Sequence, residues 1–277
     1  MSETSFKIDM HTHSTFSHDG KDELKTMLAA AQEKGLAFYG VSEHFDYDYD
    51  LTLLDKETQK TLLNPDCEEY FHTARHLQED YEGVMNVAVG AEFGYSDDRS
   101  VQTRYQETQE KYRPDFVINS VHSMDGLDFA LRKNTEDKKT LYSAYLGLVR
   151  RSLDAPYPYD IVGHIGYIAR YAPYENTEIS LSEFGEQIDD ILKTIIQKGK
   201  ILEANTASKH LPQTTLPSEA ILRRYYELGG RKVSYGSDAH FTARIGDKWE
   251  ETVALLKEIG FTHLTVPFKG EHIEVKL

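Results

Sequence analysis

A single cysteine, Cys67, is all that the 277-residue chain contains, so an internal disulfide is excluded. That scarcity fits a reducing, cytoplasmic setting. Its neighbours Asp66, Glu68 and Glu69 should raise the thiol's pKa, which favours a structural role over a nucleophilic one. No apolar run approaches the roughly 20 residues that a bilayer span needs. The start, MSETSFKIDMHTH, lacks the apolar core of a signal segment and leads almost directly into a strand pattern. Basic residues are also in deficit: 31 Lys and Arg stand against 46 Asp and Glu, a net charge of −15. A broad nucleic-acid-binding face needs clustered cations and is not expected. A small anionic substrate remains compatible if metals and a few basic groups share one cleft. There is no repeat, low-complexity tract or linker, so residues 1–277 read as one domain of a length suited to an α/β barrel.

A βα rhythm is present throughout. Strands are expected at Phe6–Met10, Ala37–Ser42, Asn86–Ala91, Asp115–Val121, Asp160–Gly163, Lys200–Asn205 and Lys232–Ser237, with a last short one at His263–Val266. Helical periodicity fills the intervals. It is clearest over Leu181–Lys198, where Phe184, Ile188, Ile191, Leu192, Ile195 and Ile196 share a face; Ser180 and Glu183 suggest a capping box and Gly199 a stop. Alternation of this kind implies a parallel sheet, either closed or doubly wound. The polar residues decide for the barrel, because they arrive at the C-terminal end of nearly every strand, where a barrel gathers its site.

The first strand ends in Asp9-Met10-His11-Thr12-His13, and residues two apart on a strand point the same way. His18 follows on the loop. The second strand ends in Glu43-His44, the third in Glu92, the fourth in His122, the fifth in His164 and the seventh in Asp238-Ala239-His240. Imidazole and carboxylate are normal ligands for zinc, manganese and iron. One cation takes about three or four of them, so His11, His13, His18, His44, Glu92, His122, His164, Asp238 and His240 suggest two or three divalent ions, with a carboxylate such as Glu92 able to bridge. Neighbouring metals can activate water and clamp a phosphate.

The ordered elements DMHTHSTFSHDG, GVSEH, GAEFGY, NSVHSMDG, VGHIGY and YGSDAH, spread over about residues 9–240, resemble the motifs of the polymerase-and-histidinol-phosphatase (PHP) superfamily, and the length resembles its histidinol-phosphatase branch. The resemblance implies a distorted (β/α)7 TIM-like barrel with a di- or trinuclear metal site. It implies that His11, His13, Glu92 and Asp238 hold one metal, that Glu92 bridges to a second completed by His122 and His164, and that His18, His44 and His240 bind a third. It implies hydrolysis of L-histidinol phosphate to L-histidinol and phosphate in histidine biosynthesis. Another small-molecule phosphatase, a protein-tyrosine phosphatase, a nuclease of the same superfamily and a non-catalytic metal-binding module are the competing readings. The acidic balance disfavours the nuclease, and the full set of nine ligands with several basic residues disfavours the last.

Phosphate also needs cations around its free oxygens. Arg170, Lys209 and Arg244 follow strand-end motifs and are the candidates, Arg132 a weaker one. Asp238 and His240 are the candidates for protonating the leaving alkoxide. Glu43, beside His44, is a candidate for meeting a cationic amine on the substrate, with Asp46 as a similar neighbour; either can instead support a ligand from behind. The DYDYD run at Asp46–Asp50 reads as a cleft entrance or a solvated loop. His72 and His76 have helical spacing but read as a solvated face, His210 as a loop residue, and His263 and His272 as structural.

Overall fold

The computed structural model describes residues 6–277. Seven parallel strands form one sheet: β1 (Lys7–Asp9), β2 (Leu36–Phe45), β3 (Asn86–Gly94), β4 (Val117–Ser120), β7 (Ile161–Val162), β8 (Ile201–Asn205) and β9 (Val233–Gly236), adjacent in that order. Two short antiparallel hairpins complete the set, β5 (Ser123–Met124) with β6 (Leu127–Asp128) and β10 (His263–Phe268) with β11 (Glu271–Lys276). The helices are α1 (Leu24–Glu33), α2 (Lys56–Thr61), α3 (Cys67–Asp80), α4 (Arg99–Tyr112), α5 (Lys138–Ser152), α6 (Leu181–Gln197), α7 (Glu219–Glu227) and α8 (Trp249–Ile259). None of them is long and apolar enough to cross a membrane.

The sheet curls until its first and last strands meet. Met10 N–H donates to the Tyr235 carbonyl at 3.0 Å, Asp238 N–H to the His11 carbonyl at 2.8 Å and His13 N–H to the Ala239 carbonyl at 2.8 Å. This is the barrel that the strand-end pattern favours and the distorted TIM-like form that the family resemblance implies, and it brings the first and last histidine motifs side by side.

Packing follows from strand parity. Along β3 the outward residues Val87, Val89, Ala91 and Phe93 meet helices. Phe93 stacks on Tyr105 of α4 with ring centroids 4.4 Å apart. On the inward side Gly90 leaves room for Phe116: a Cβ there would lie 2.4 Å from its ring. Helix α6 buries Phe184, Ile188, Ile191, Leu192 and Ile195, each contributing roughly 1.5–3 kcal/mol through apolar burial. Its cap differs slightly from expectation: Ser180 Oγ accepts from Glu183 N–H at 3.3 Å, while the Glu183 carboxylate takes the Ser180 hydroxyl at 2.9 Å and Lys138 Nζ at 2.7 Å. The tyrosines behave as amphipathic packing residues. Tyr70 and Tyr105 bury their rings and donate their hydroxyls to strand carbonyls, at 2.7 Å to Gly90 and 2.6 Å to Gly94.

The DYDYD segment is neither an entrance nor a solvated loop. Asp46 bonds His122 Nδ1 at 2.8 Å, Asp48 accepts from the Ser123 hydroxyl, and Tyr49 Oη donates to Asp128 at 2.8 Å. Asp46, Asp48 and Tyr49 hold it under the barrel mouth through the β4–β6 region, while Tyr47 turns to Cys67 and Thr108 and Asp50 at its end is exposed.

Candidate metal centre

Glu92 stands at the middle of the mouth and is fully buried. Parallel register pairs it with His44 across β2 and β3, and the closure of the barrel brings His11 and His13 round to it. Its Oε2 lies 3.2 Å from His11 Nε2, 3.5 Å from His13 Nε2 and 2.9 Å from His44 Nδ1. Its Oε1 lies 3.0 Å from His122 Nε2 and 2.9 Å from His164 Nε2, and accepts from Ser120 Oγ at 2.6 Å. Asp238 closes the first group from the other side: Oδ1 is 3.5 Å from His13 Nε2 and 3.9 Å from His11 Nε2. Asp238 sits at φ +53°, a region that Asp tolerates better than most side chains, and the turn brings its carboxylate to the β1 histidines.

The donor atoms fit cations. His11 Nε2, His13 Nε2 and Glu92 Oε2 are buried without hydrogen-bond partners although they converge on one another. Buried polar atoms are normally satisfied, and three orphans around one point are what a metal ion would satisfy. Groups of three ligand atoms within 4.8 Å of one another are formed by His11, His13 and Glu92; by His11, His164 and Asp238; by Glu92, His122 and His164; by His13, His44 and His240; and by His44, Asp46 and His122. Eight of the nine anticipated ligands thus converge. His18 is a neighbour of His44, ring centroids 5.6 Å apart, but joins none of these groups.

Carboxylates that sequence reasoning did not single out complete the site. Asp19 Oδ2 is 2.9 Å from His240 Nε2 and Oδ1 is 3.7 Å from His44 Nε2. Glu203, inside β8, reaches His11 Nδ1 at 2.6 Å. Glu43 is a correction: it lies fully buried behind the cleft, not facing it. It accepts from Ser14 N–H at 3.0 Å, from Ser14 Oγ at 2.6 Å and from the Ser17 hydroxyl, and Ser17 Oγ is 3.3 Å from His13 Nδ1. Glu43 therefore stands behind His13, in the supporting position that was the other reading of it. For Asp238, a candidate proton donor, the surrounding charges favour the ionised form in the metal-free protein. Burial works against its charge, but His11, His13 and Arg170 outweigh burial and hold its carboxyl well below the usual range, so it stays ionised.

Beside the cluster lies a cleft of about 290 Å³, lined by Arg170, Lys209, Arg244, Lys21, Asp19 and His240 together with Tyr167, Tyr171 and Phe241. Arg170 is 5% exposed; its Nη2 donates to Asp238 Oδ2 at 3.1 Å and Asn205 Oδ1 at 3.2 Å, and its Nε has no partner. Lys209 Nζ donates to Tyr171 Oη at 2.6 Å, and Arg244 pairs with Asp247 at 3.0 Å. Arg132 is occupied elsewhere, by Glu136. His72, His76 and His210 are exposed, and His272 packs beside Lys232 at 3.0 Å, away from the cleft.

The crowding has a pH signature in the metal-free protein. Burial disfavours charge on His44, but Glu92, Asp19 and Asp46 outweigh it and push its pKa up to about 9 from 6.5. A histidine with a raised folded-state pKa contributes stability that is complete below its unfolded value and is lost as pH rises through the folded value. Metal-free protein should therefore lose up to ~3 kcal/mol of this contribution between about pH 6.5 and 9. Urea midpoints at the two pH values should fall in that direction, and saturating divalent metal should largely abolish the fall. A midpoint constant across the range, without metal, would contradict the assignment.

A parallel barrel carrying a histidine–carboxylate cluster at its mouth, beside a cleft with basic walls, defines an α/β-barrel protein with a multi-ligand candidate metal centre. The chain belongs to the PHP domain family, whose model matches residues 9–207. The histidinol-phosphatase of Lactococcus lactis subsp. lactis is 29% identical over 280 residues, covering 97% of this chain and 96% of that protein. The crystal structure of histidinol phosphate phosphatase from that organism, complexed with zinc, L-histidinol and phosphate, superposes with a TM-score of 0.83 at 25% identity, covering 96% of this chain and 98% of the other. A Listeria monocytogenes structure with a TM-score of 0.76 at 22% identity, covering 88% of this chain and 99% of the other, has the same fold.

Proposed function

We propose that this chain is a metal-dependent phosphomonoesterase that hydrolyses L-histidinol phosphate to L-histidinol and inorganic phosphate in histidine biosynthesis. The observation that carries the reaction class is the convergence of five imidazoles on the single buried carboxylate of Glu92, next to a cleft walled by Arg170 and Lys209. Near full-length similarity to the Lactococcus lactis enzyme supports the substrate.

His11, His13, Glu92 and Asp238 would hold one metal, and Glu92, His122 and His164 a second. His44 and His240 would hold a third, with Asp19 between them, 2.9 Å from His240 Nε2 and 3.7 Å from His44 Nε2. Zinc, manganese and iron all accept this donor set. When bound, such metals lower the pKa of water and neutralise charge on phosphoryl oxygens. Arg170 orients the phosphate through its unpartnered Nε–H, with Lys209 adding charge from the rim and Arg244, tied to Asp247, further out. Tyr171 and Phe241 present flat surfaces to the imidazole of the substrate. Of the cleft-lining groups, His240 remains to deliver the proton that the leaving alkoxide collects.

The test is phosphate release from a panel of monoesters, including histidinol phosphate and phosphotyrosine, together with a single-stranded DNA substrate, before and after chelation. Histidinol phosphate should be the preferred substrate, and turnover should vanish with the metal and return on its addition. Undiminished turnover after verified metal removal would overturn the reaction class. A preference for phosphotyrosine or DNA would overturn the substrate.

A further inference from the structure

We propose that Glu203 is a positioning residue that couples two groups of metal ligands, because one carboxylate fixes the His11 ring and the His164 main chain at the same time. This rests on the metal-centre reading above. Glu203 is 1% exposed in the middle of β8. Its Oε1 is 2.6 Å from His11 Nδ1, and its Oε2 accepts the His164 backbone N–H at 2.6 Å. His11 Nε2, on the far side of that ring, has no hydrogen-bond partner and lies 3.2 Å from Glu92 Oε2. His164 Nε2 lies 2.9 Å from Glu92 Oε1. The two imidazoles therefore address the two oxygens of Glu92, and Glu203 is bonded to both of their residues.

The space for this carboxylate is built in. A Cβ on Gly236 of the neighbouring β9 would lie 2.2 Å from Glu203 Oε1. The other supporting carboxylates bond no two ligand residues directly: Asp46 bonds His122 Nδ1 at 2.8 Å and lies 3.6 Å from His44 Nδ1, and Glu43 reaches His13 and the His44 main chain through Ser17. A carboxylate accepting Nδ1–H fixes the tautomer that leaves the Nε2 lone pair free for a metal.

Glutamine is nearly isosteric but can satisfy only one of the two partners. If its carbonyl takes the His11 Nδ1–H, its amide N–H₂ confronts the His164 N–H. If its carbonyl takes the His164 N–H, its amide donates to His11 Nδ1, which drives the proton to Nε2 and removes that atom as a ligand. Aspartate keeps the buried charge but is one methylene too short to reach both.

The experiment compares wild type, Glu203→Gln and Glu203→Asp, loaded with zinc and then equilibrated against graded chelator, with retained metal counted by elemental analysis. The ¹⁵N shifts of the His11 ring in metal-free protein and the split of kcat from KM are read on the same samples. Both variants should hold the first two metals roughly 10–100-fold more weakly, losing them together. Their kcat should fall with KM nearly unchanged once zinc is saturating. Variants that retain zinc as the wild type does, with an unchanged His11 tautomer, would overturn the coupling while leaving the metal centre intact. A variant that raises KM with metal retention unchanged would point to substrate contact and overturn it too. Wild type that binds no zinc would overturn the metal-centre reading itself, and Glu203→Asp keeps the test decisive if the glutamine variant fails to fold.

Discussion

Glu92→Gln should leave a folded barrel that has lost both its metals and its turnover. The side chain is fully buried and touches His11, His13, His44, His122 and His164 within 3.5 Å. The substitution preserves shape, so packing around Ala91 and Phe93 is undisturbed. It removes the one negative charge that both main ligand groups share. An amide N–H₂ cannot ligate a cation, and turned toward His122 and His164 it would face the Nε2 atoms that need a carboxylate or a metal. The fall in kcat/KM should be at least ~10³, since losing this shared ligand costs about 4 kcal/mol or more of transition-state stabilisation. The variant also makes a second statement about charge. Burial raises the Glu92 pKa, but His11, His122 and His44 more than reverse this and hold it well below the carboxylate range. With the anion gone, those imidazoles lose their main source of raised pKa, so the pH-dependent loss of stability of the metal-free protein should flatten. Metal counts, phosphate release and urea midpoints on one preparation check all three results. Metal retention and activity within tenfold of wild type would remove Glu92 from the centre of the site.

The eight converging side chains were legible because each lies at or just beyond a strand end, and strand ends can be read locally; His18, on a loop, joins none of the groups. His11 with His13, and Asp238 with His240, announce themselves by spacing and by position after an apolar run. Of the supporting carboxylates, Glu43 and Asp46 were legible only as neighbours of His44, without the partners they would find, and Glu203 was not singled out. Glu203 reaches His11 across 192 residues of sequence, and Asp46 reaches His122 across 76. Their roles depend on which strands become neighbours and in what register, which no local pattern encodes. For Glu43, adjacency to His44 left substrate contact and support from behind both open, and alternation along β2 turns it to the opposite side, toward Ser14 and Ser17. The small hairpins did leave a readable trace. Asp125-Gly126 and Lys269-Gly270 each take two successive positive φ values, at 57° and 78° and at 51° and 81°, the geometry of a tight two-residue turn. An Asp-Gly pair between short apolar stretches is a hairpin signal, and Lys-Gly is a weaker one; β11 was therefore the harder strand to anticipate.

Arg170→Met should lower kcat/KM by roughly 10²–10³, with Arg170→Lys recovering only part of the loss. Two contributions add. The guanidinium is buried, and its Nη2 is shared between Asp238 Oδ2 and Asn205 Oδ1. Truncation leaves Asp238 without its cationic partner, and removing one half of a buried charge pair costs about 3–5 kcal/mol. Nearby metal would offset some of this, because Asp238 also faces His11 and His13. The second contribution is the buried, unpartnered Nε–H, the donor assigned above to the phosphate and one that lysine does not have. Lysine restores a charge but not a planar fork, and the shorter reach of its ammonium must choose between Asp238 and substrate. The two contributions separate experimentally. A loss from the Asp238 side lowers metal retention and is corrected by excess metal, whereas a loss at phosphate persists with metal saturating and weakens inhibition by inorganic phosphate in parallel. Phosphate inhibition equal to that of the wild type in a metal-saturated Arg170→Met would confine Arg170 to holding Asp238 and take it out of the substrate contact.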